Sequence, residues 1–201
     1  MACILVAVST DSAQLFFSLL MFVAAAGAIA LVVLRVAVAL GNESALGIGR
    51  EVGHASTWLA FLVAATATLG SLYFSEVAHF VPCRLCWFQR IAMYPLSLIL
   101  LVGAIRRDPA VRWYVGPLAA IGASVAAYHT LIEWRPELDT GACELFGPSC
   151  SDVWFKEFGF VTLATMSLVG FLTILLLMFV RFPATLDDEA PLPDPTLESH
   201  S

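Results

Sequence analysis

Long runs without a charged side chain constrain this chain more than any other feature. Ser12–Leu34 (23 residues), Thr57–Ser75 (19) and Phe158–Val180 (23) contain no Asp, Glu, Lys or Arg. Trp113–Ile132 (20) holds only His129 as a group that titrates near neutral pH. A fifth stretch, from about Cys83 to Ile105, is interrupted by Arg90 near its start. A helix rising ~1.5 Å per residue needs about 20 residues to cross ~30 Å of hydrocarbon, so all five are long enough. Lipid offers the backbone no hydrogen-bond partners, and the alternation of a membrane barrel is not visible. The expected fold class is an all-α membrane protein.

Composition agrees. Of 201 residues, 60% are hydrophobic and 13% charged, too few charges to solvate a soluble domain of this size. The net charge of −6 is mostly local. Residues 182–201 carry Asp187, Asp188, Glu189, Asp194 and Glu198 with no Lys or Arg, and also Pro183, Pro191, Pro193 and Pro195. This acidic, Pro-rich tail is expected to be disordered. No basic face suggests nucleic acid. Residues 1–34 lack a basic n-region and are too long and uniform for a signal peptide, so a true span is expected there.

Orientation follows from Lys and Arg in short loops. The turn from Arg106 to Arg112 holds three of the ten basic residues and should be cytoplasmic. Alternating from it, Arg35, Arg50 and Arg181 also fall inside, whereas Arg84, Arg90, Arg135 and Lys156 fall outside. This places the N-terminus and the Cys83/Cys86 and Cys143/Cys150 pairs on the outer face, and the tail inside.

The segment Pro82-Cys83-Arg84-Leu85-Cys86-Trp87-Phe88-Gln89-Arg90 carries the strongest chemical signal. C-x-x-C at a helix start lets two sulfurs bond, while the free N–H groups and dipole of the helix N-terminus stabilise a thiolate. Arg90 shares a helix face with Cys86 and, so near hydrocarbon, needs an anionic partner such as that thiolate. A plainer reading makes Arg90 a snorkelling residue and the cysteines half of a zinc site. Cys143 and Cys150 flank Gly147-Pro148, a turn able to bring them together; they form either a static staple or an exchanging pair. Cys3 has no nearby partner in sequence.

The run Cys83-Arg84-Leu85-Cys86-Trp87-Phe88-Gln89-Arg90-Ile91-Ala92-Met93-Tyr94-Pro95 resembles the signature of the disulfide bond formation protein B (DsbB) family, in particular its short-loop BdbC branch. Tyr128–Glu133 and Trp154–Phe160 resemble that branch too. The resemblance implies a DsbB-like four-helix quinone-reducing core over 57–181, an additional N-terminal transmembrane helix within 1–41, and the tail 182–201. It further implies a thiol:quinone oxidoreductase of the bacterial cytoplasmic (inner) membrane. A reduced DsbA/BdbD-like thioredoxin-fold partner would attack Cys143–Cys150, with Cys143 forming the mixed disulfide. Electrons would pass through Cys83–Cys86, by way of a Cys83–Cys143 intermediate, to a ubiquinone or menaquinone of the membrane pool. Cys86 would lie beside the quinone and Arg90 would hold it. Gln89, Trp87 and His129 are further candidate contacts, against plainer roles as belt or packing residues, and no resident metal is expected. The alternatives are a vitamin K epoxide reductase-like enzyme, or a non-enzymatic membrane protein with static disulfides or a metal site. Cysteine order speaks against the former, since there the C-x-x-C follows the loop cysteines.

Overall fold

The computed structural model describes residues 10–139 and 148–179. Five α-helices make up most of this: α1 (Thr10–Ala39), α2 (Glu43–Leu72), α3 (Arg84–Arg106), α4 (Val111–Trp134) and α5 (Leu163–Phe179). A π turn, Tyr73–Val77, continues α2. Thr10–Ala39, Glu43–Val77, Arg84–Arg106 and Val111–Trp134 are long and apolar enough to cross a membrane, and α5 is a shorter apolar helix of 17 residues. The chain is a multi-pass membrane protein with an all-α bundle. The expected tail disorder, Cys143 and Cys3 fall outside the described residues.

Short turns with specific chemistry make neighbouring helices antiparallel. Between α1 and α2, Gly41 takes φ +86°, a conformation open to glycine, and the Asn42 side chain caps α2 by accepting the Ala45 N–H at 3.0 Å. That cap starts α2 fourteen residues before the apolar run Thr57–Ser75, so the helix is longer than its charge-free part. Between α3 and α4, Arg107 turns left-handed (φ 51°) and the Asp108 carboxylate accepts the Ala110 N–H at 2.8 Å.

The last helix begins later than its apolar run. Phe158 (φ 50°) and Gly159 (φ 80°) reverse the chain, and Glu157 and Val161 form an isolated antiparallel bridge. Thr162 then caps α5: its Oγ1 accepts the Thr165 N–H at 3.2 Å, while Thr165 Oγ1 accepts the Thr162 N–H at 2.6 Å. Hydroxyls that bond the backbone locally favour a cap over a helix interior, which is why the apolar run from Phe158 is not all helix.

Helices approach closely where glycine faces an aromatic ring or branched side chain, as is common between membrane helices. Gly122 of α4 faces Phe171 of α5, Gly116 faces Phe179, and Gly103 of α3 faces Val111 of α4. Leu96, Leu100, Val115, Phe171 and Ile174 are fully buried in the core between α3, α4 and α5. Helix α1 packs on α2 and α5.

Candidate functional site

The C-x-x-C pair sits where α3 begins. Cys83 is the N-cap residue: its backbone is extended (φ −72°, ψ 173°) and its sulfur accepts the Cys86 N–H at 3.2 Å. The two sulfurs lie 2.8 Å apart and both cysteines are free thiols. Cys150 is disulfide-bonded and fully buried. The hydrogen bond from Cys86, and then the neighbouring His129, hold the Cys83 thiol well below the ordinary range although burial pushes the other way. These contacts favour the thiolate at Cys83, the sulfur at the helix N-cap.

Each sulfur has its own surroundings. Cys83 packs with Leu85, Ile132 and Cys150 in one buried cluster. Cys86 lines a cavity of about 480 Å³ bordered by α1, α2, α3, α5 and the segments ahead of α3 and α5. Gln89 and Arg90 line the same end of the cavity as Cys86, and most of its remaining wall is apolar. Arg90 Nη2 donates to the Ser71 carbonyl at 3.0 Å, next to the π turn of α2, and its guanidinium lies 5.3 Å from the centre of the Trp87 ring. Phe80 stacks between Trp154 (4.8 Å) and Phe74 (5.6 Å), and all three rings border the cavity.

His129 links the two cysteine environments. Its Nε2 lies 3.1 Å from the Cys150 carbonyl oxygen and 3.7 Å from Cys83 Sγ. A carbonyl only accepts, so Nε2 carries the hydrogen; Nδ1 of the neutral ring then accepts from the Gln89 amide at 2.9 Å. Behind the ring, Glu133 Oε1 lies 3.9 Å from Nε2, and Glu133 Oε2 accepts from the Thr162 hydroxyl at 2.6 Å.

The structure therefore brings Cys83, Cys86, Cys150, Gln89, Arg90 and His129 together. Trp87 stands apart from the cavity: it is 53% exposed and its ring supports Arg90 from outside. His129 is not among the residues lining the cavity either, and faces Cys83 and Cys150. Glu133 turns inward to Thr162 and His129. The four-residue spacing of His129 and Glu133 was the signal for this, since it puts both on one helix face. Trp154, as a cavity wall, had no comparable signal beyond its place in a family-like segment.

The Cys83 and Cys86 sulfurs and a His129 ring nitrogen lie within 4.8 Å of one another, a set that could hold a metal ion. Two thiolates on a tetrahedral zinc, each at ~2.3 Å, stand roughly 3.7 Å apart. The 2.8 Å contact is tighter than that and suits a pair that interconverts between dithiol and disulfide.

A dithiol at the end of a transmembrane bundle, one sulfur beside a disulfide-bonded cysteine and the other on an apolar cavity, defines a membrane protein of thiol–disulfide exchange. Residues 54–181 match the family described as "Disulfide bond formation protein DsbB". The chain is 41% identical over 121 residues to "Disulfide bond formation protein C" of Bacillus subtilis, covering 60% of this chain and 88% of that relative. It is 40% identical over 123 residues to "Probable disulfide formation protein C 2" of Bacillus cereus, covering 61% and 88%. With "Probable disulfide formation protein" of Deinococcus radiodurans it shares 42% over 129 residues, covering 60% and 84%. No solved structure matches the chain. The chain belongs to the DsbB family, and its role is disulfide generation.

Proposed function

We propose that this chain is a protein-dithiol:quinone oxidoreductase that reoxidises a DsbA/BdbD-like thioredoxin-fold partner on the extracytoplasmic side of the bacterial cytoplasmic membrane. The observation that carries this reading is the division of the C-x-x-C pair, with Cys83 turned to Cys150 and Cys86 to the cavity.

The partner's two thiols become a disulfide as the Cys143–Cys150 disulfide becomes a dithiol, a transfer of two electrons and two protons. The same exchange then passes from Cys143–Cys150 to a Cys83–Cys86 disulfide through a Cys83–Cys143 mixed disulfide. Free Cys83 and Cys86 beside a disulfide-bonded Cys150 match the state that follows this second exchange. Cys83, with its thiol held low at the helix N-cap, is a good leaving thiolate when Cys150 resolves the Cys83–Cys143 mixed disulfide, and Cys86 is the sulfur that meets the acceptor.

A quinone fits the cavity. About 480 Å³ lies within the usual range of small-molecule sites, the wall is mostly apolar, and Cys86, Gln89 and Arg90 place polar groups together on it. Cys86, Gln89 and Arg90 would hold its ring. Bound there, a quinone supplies a sink for two electrons and two protons. Arg90 offers a fixed cation beside that end of the cavity, suited to negative charge on an oxygen.

The test is quinone reduction by the purified chain in detergent or lipid, with a reduced DsbA-like protein as donor. Stoichiometric quinol and partner disulfide are expected. Partner oxidation with no quinol formed would remove the quinone reading.

A further inference from the structure

Helix α1 lies outside the residues that match the family, yet it forms part of the cavity wall. Phe17, Leu20, Met21 and Ala24 border the cavity, and their spacing of three, one and three residues is that of one helical face. The face is seated firmly. The Phe17 ring rests on Gly70 of α2, where an added Cβ would come within 2.8 Å of it, and lies 5.5 Å from the Phe74 ring. Phe22 packs edge-on against Phe158 (5.5 Å) and Phe160 (6.1 Å), in the turn ahead of α5. Ala13, Ser18 and Met21 are buried on the same helix. Helix α1 thus closes the space between α2 and α5, across the cavity from Cys86 and Arg90.

We propose that α1 is a structural part of the quinone site, supplying an apolar wall that sets how tightly and which quinones bind. This inference rests on the quinone reading above. The four-helix core would leave the cavity open to lipid along the α1 side. Lipid chains would compete there with a quinone for the same apolar surface. With Phe17, Leu20, Met21 and Ala24 in place, that surface is covered by protein, and the side-chain volume at these positions limits what the cavity admits.

Two measurements on the full chain test this. A short-chain azido-quinone, photolysed with the wild-type protein, should label the α1 segment around residues 17–24 as well as α3. In steady-state kinetics, Ala24→Trp should raise the apparent KM for a short-chain quinone by about tenfold, leaving the KM for the reduced partner unchanged. Leu20→Ala, a milder change, should also shift the quinone KM alone. Ala26→Trp, one face away, should shift neither. Label on α2, α3 and α5 but never α1, or Ala24→Trp and Leu20→Ala with normal quinone KM, would overturn the inference and leave quinone reduction standing. A wild-type chain that neither takes label nor reduces quinone removes both.

Discussion

The imidazole Nε2 of His129 donates to the backbone carbonyl of Cys150 at 3.1 Å. The bond ties the loop cysteine to α4 and presents it beside Cys83, whose sulfur lies 3.7 Å from the same nitrogen. Leu85 and Ile132 pack with both cysteines, and this ring is a polar contact that the two share. Exchange between two cysteine pairs needs in-line approach of one sulfur on another, and a fixed ring lowers the cost of reaching it.

Replacing His129 with Ala should slow exchange between the two pairs. The loss of one neutral hydrogen bond, about 0.5–1.5 kcal/mol, corresponds to roughly two- to tenfold. Rapid acid quench followed by alkylation and mass mapping would follow the transfer. Unchanged exchange with a raised quinone KM would instead move His129 to the cavity side of the chemistry.

The lowered Cys83 thiol makes a pH prediction. A thiol with depressed pKa is ionised above that pKa, so in the reduced protein the Cys83 thiolate persists as pH falls below the ordinary thiol range. Its main cause is the hydrogen bond from Cys86, so Cys86→Ala should move the titration upward and Cys86→Ser, which keeps a donor, should move it less. Thiolate ultraviolet absorbance of chains whose Cys3, Cys143 and Cys150 are replaced would show it. Equal titration curves for the Ala and Ser variants would assign the effect to the helix N-terminus and His129 instead.

Cys150→Ser should trap a mixed disulfide between Cys143 and the partner, because the resolving thiol is gone. Non-reducing electrophoresis with peptide mapping identifies the cysteine involved. A trapped species through Cys83 would reverse the order of the relay.

Arg90 borders the cavity, away from the Cys150 side, so its loss should be felt by the acceptor and not by the protein partner. Arg90→Lys keeps the charge and loses the planar fork; Arg90→Ala loses both. The apparent quinone KM should rise in that order. A lost charge-assisted bond of roughly 1.5–3 kcal/mol predicts about ten- to a hundredfold for the Ala variant. Normal quinone dependence in Arg90→Ala would leave Arg90 as an interface anchor on Trp87.

Packing gives a prediction independent of redox chemistry. A Cβ at Gly122 would overlap Cε1 of Phe171, a ring with no exposure. Gly122→Ala should therefore cost about 1–3 kcal/mol, read as a lower midpoint of thermal unfolding in detergent. Adding Phe171→Leu should restore much of the loss. No shift in the single variant would mean that α4 and α5 part easily.

Much of this was legible in the residues themselves. Charge-free runs near the length of a bilayer crossing demand helices, whatever their neighbours, because lipid leaves the backbone no other partner. Local spacing likewise put Cys83 and Cys86 at a helix start and Arg90 one turn beyond Cys86, since helix geometry links residues three and four apart. Which surroundings each sulfur meets was not legible. The approach of Cys83 to Cys150, the turn of Glu133 toward Thr162, and the closing of the cavity by α1 join residues far apart in sequence. Such contacts depend on how the helices rotate and pack. Small residues such as Gly70 and Gly122 permit that packing only where a partner ring, Phe17 or Phe171, stands opposite. Periodicity states that a helix has a face; the partner it meets is decided by the bundle, because burial and close packing are properties of the assembled helices together.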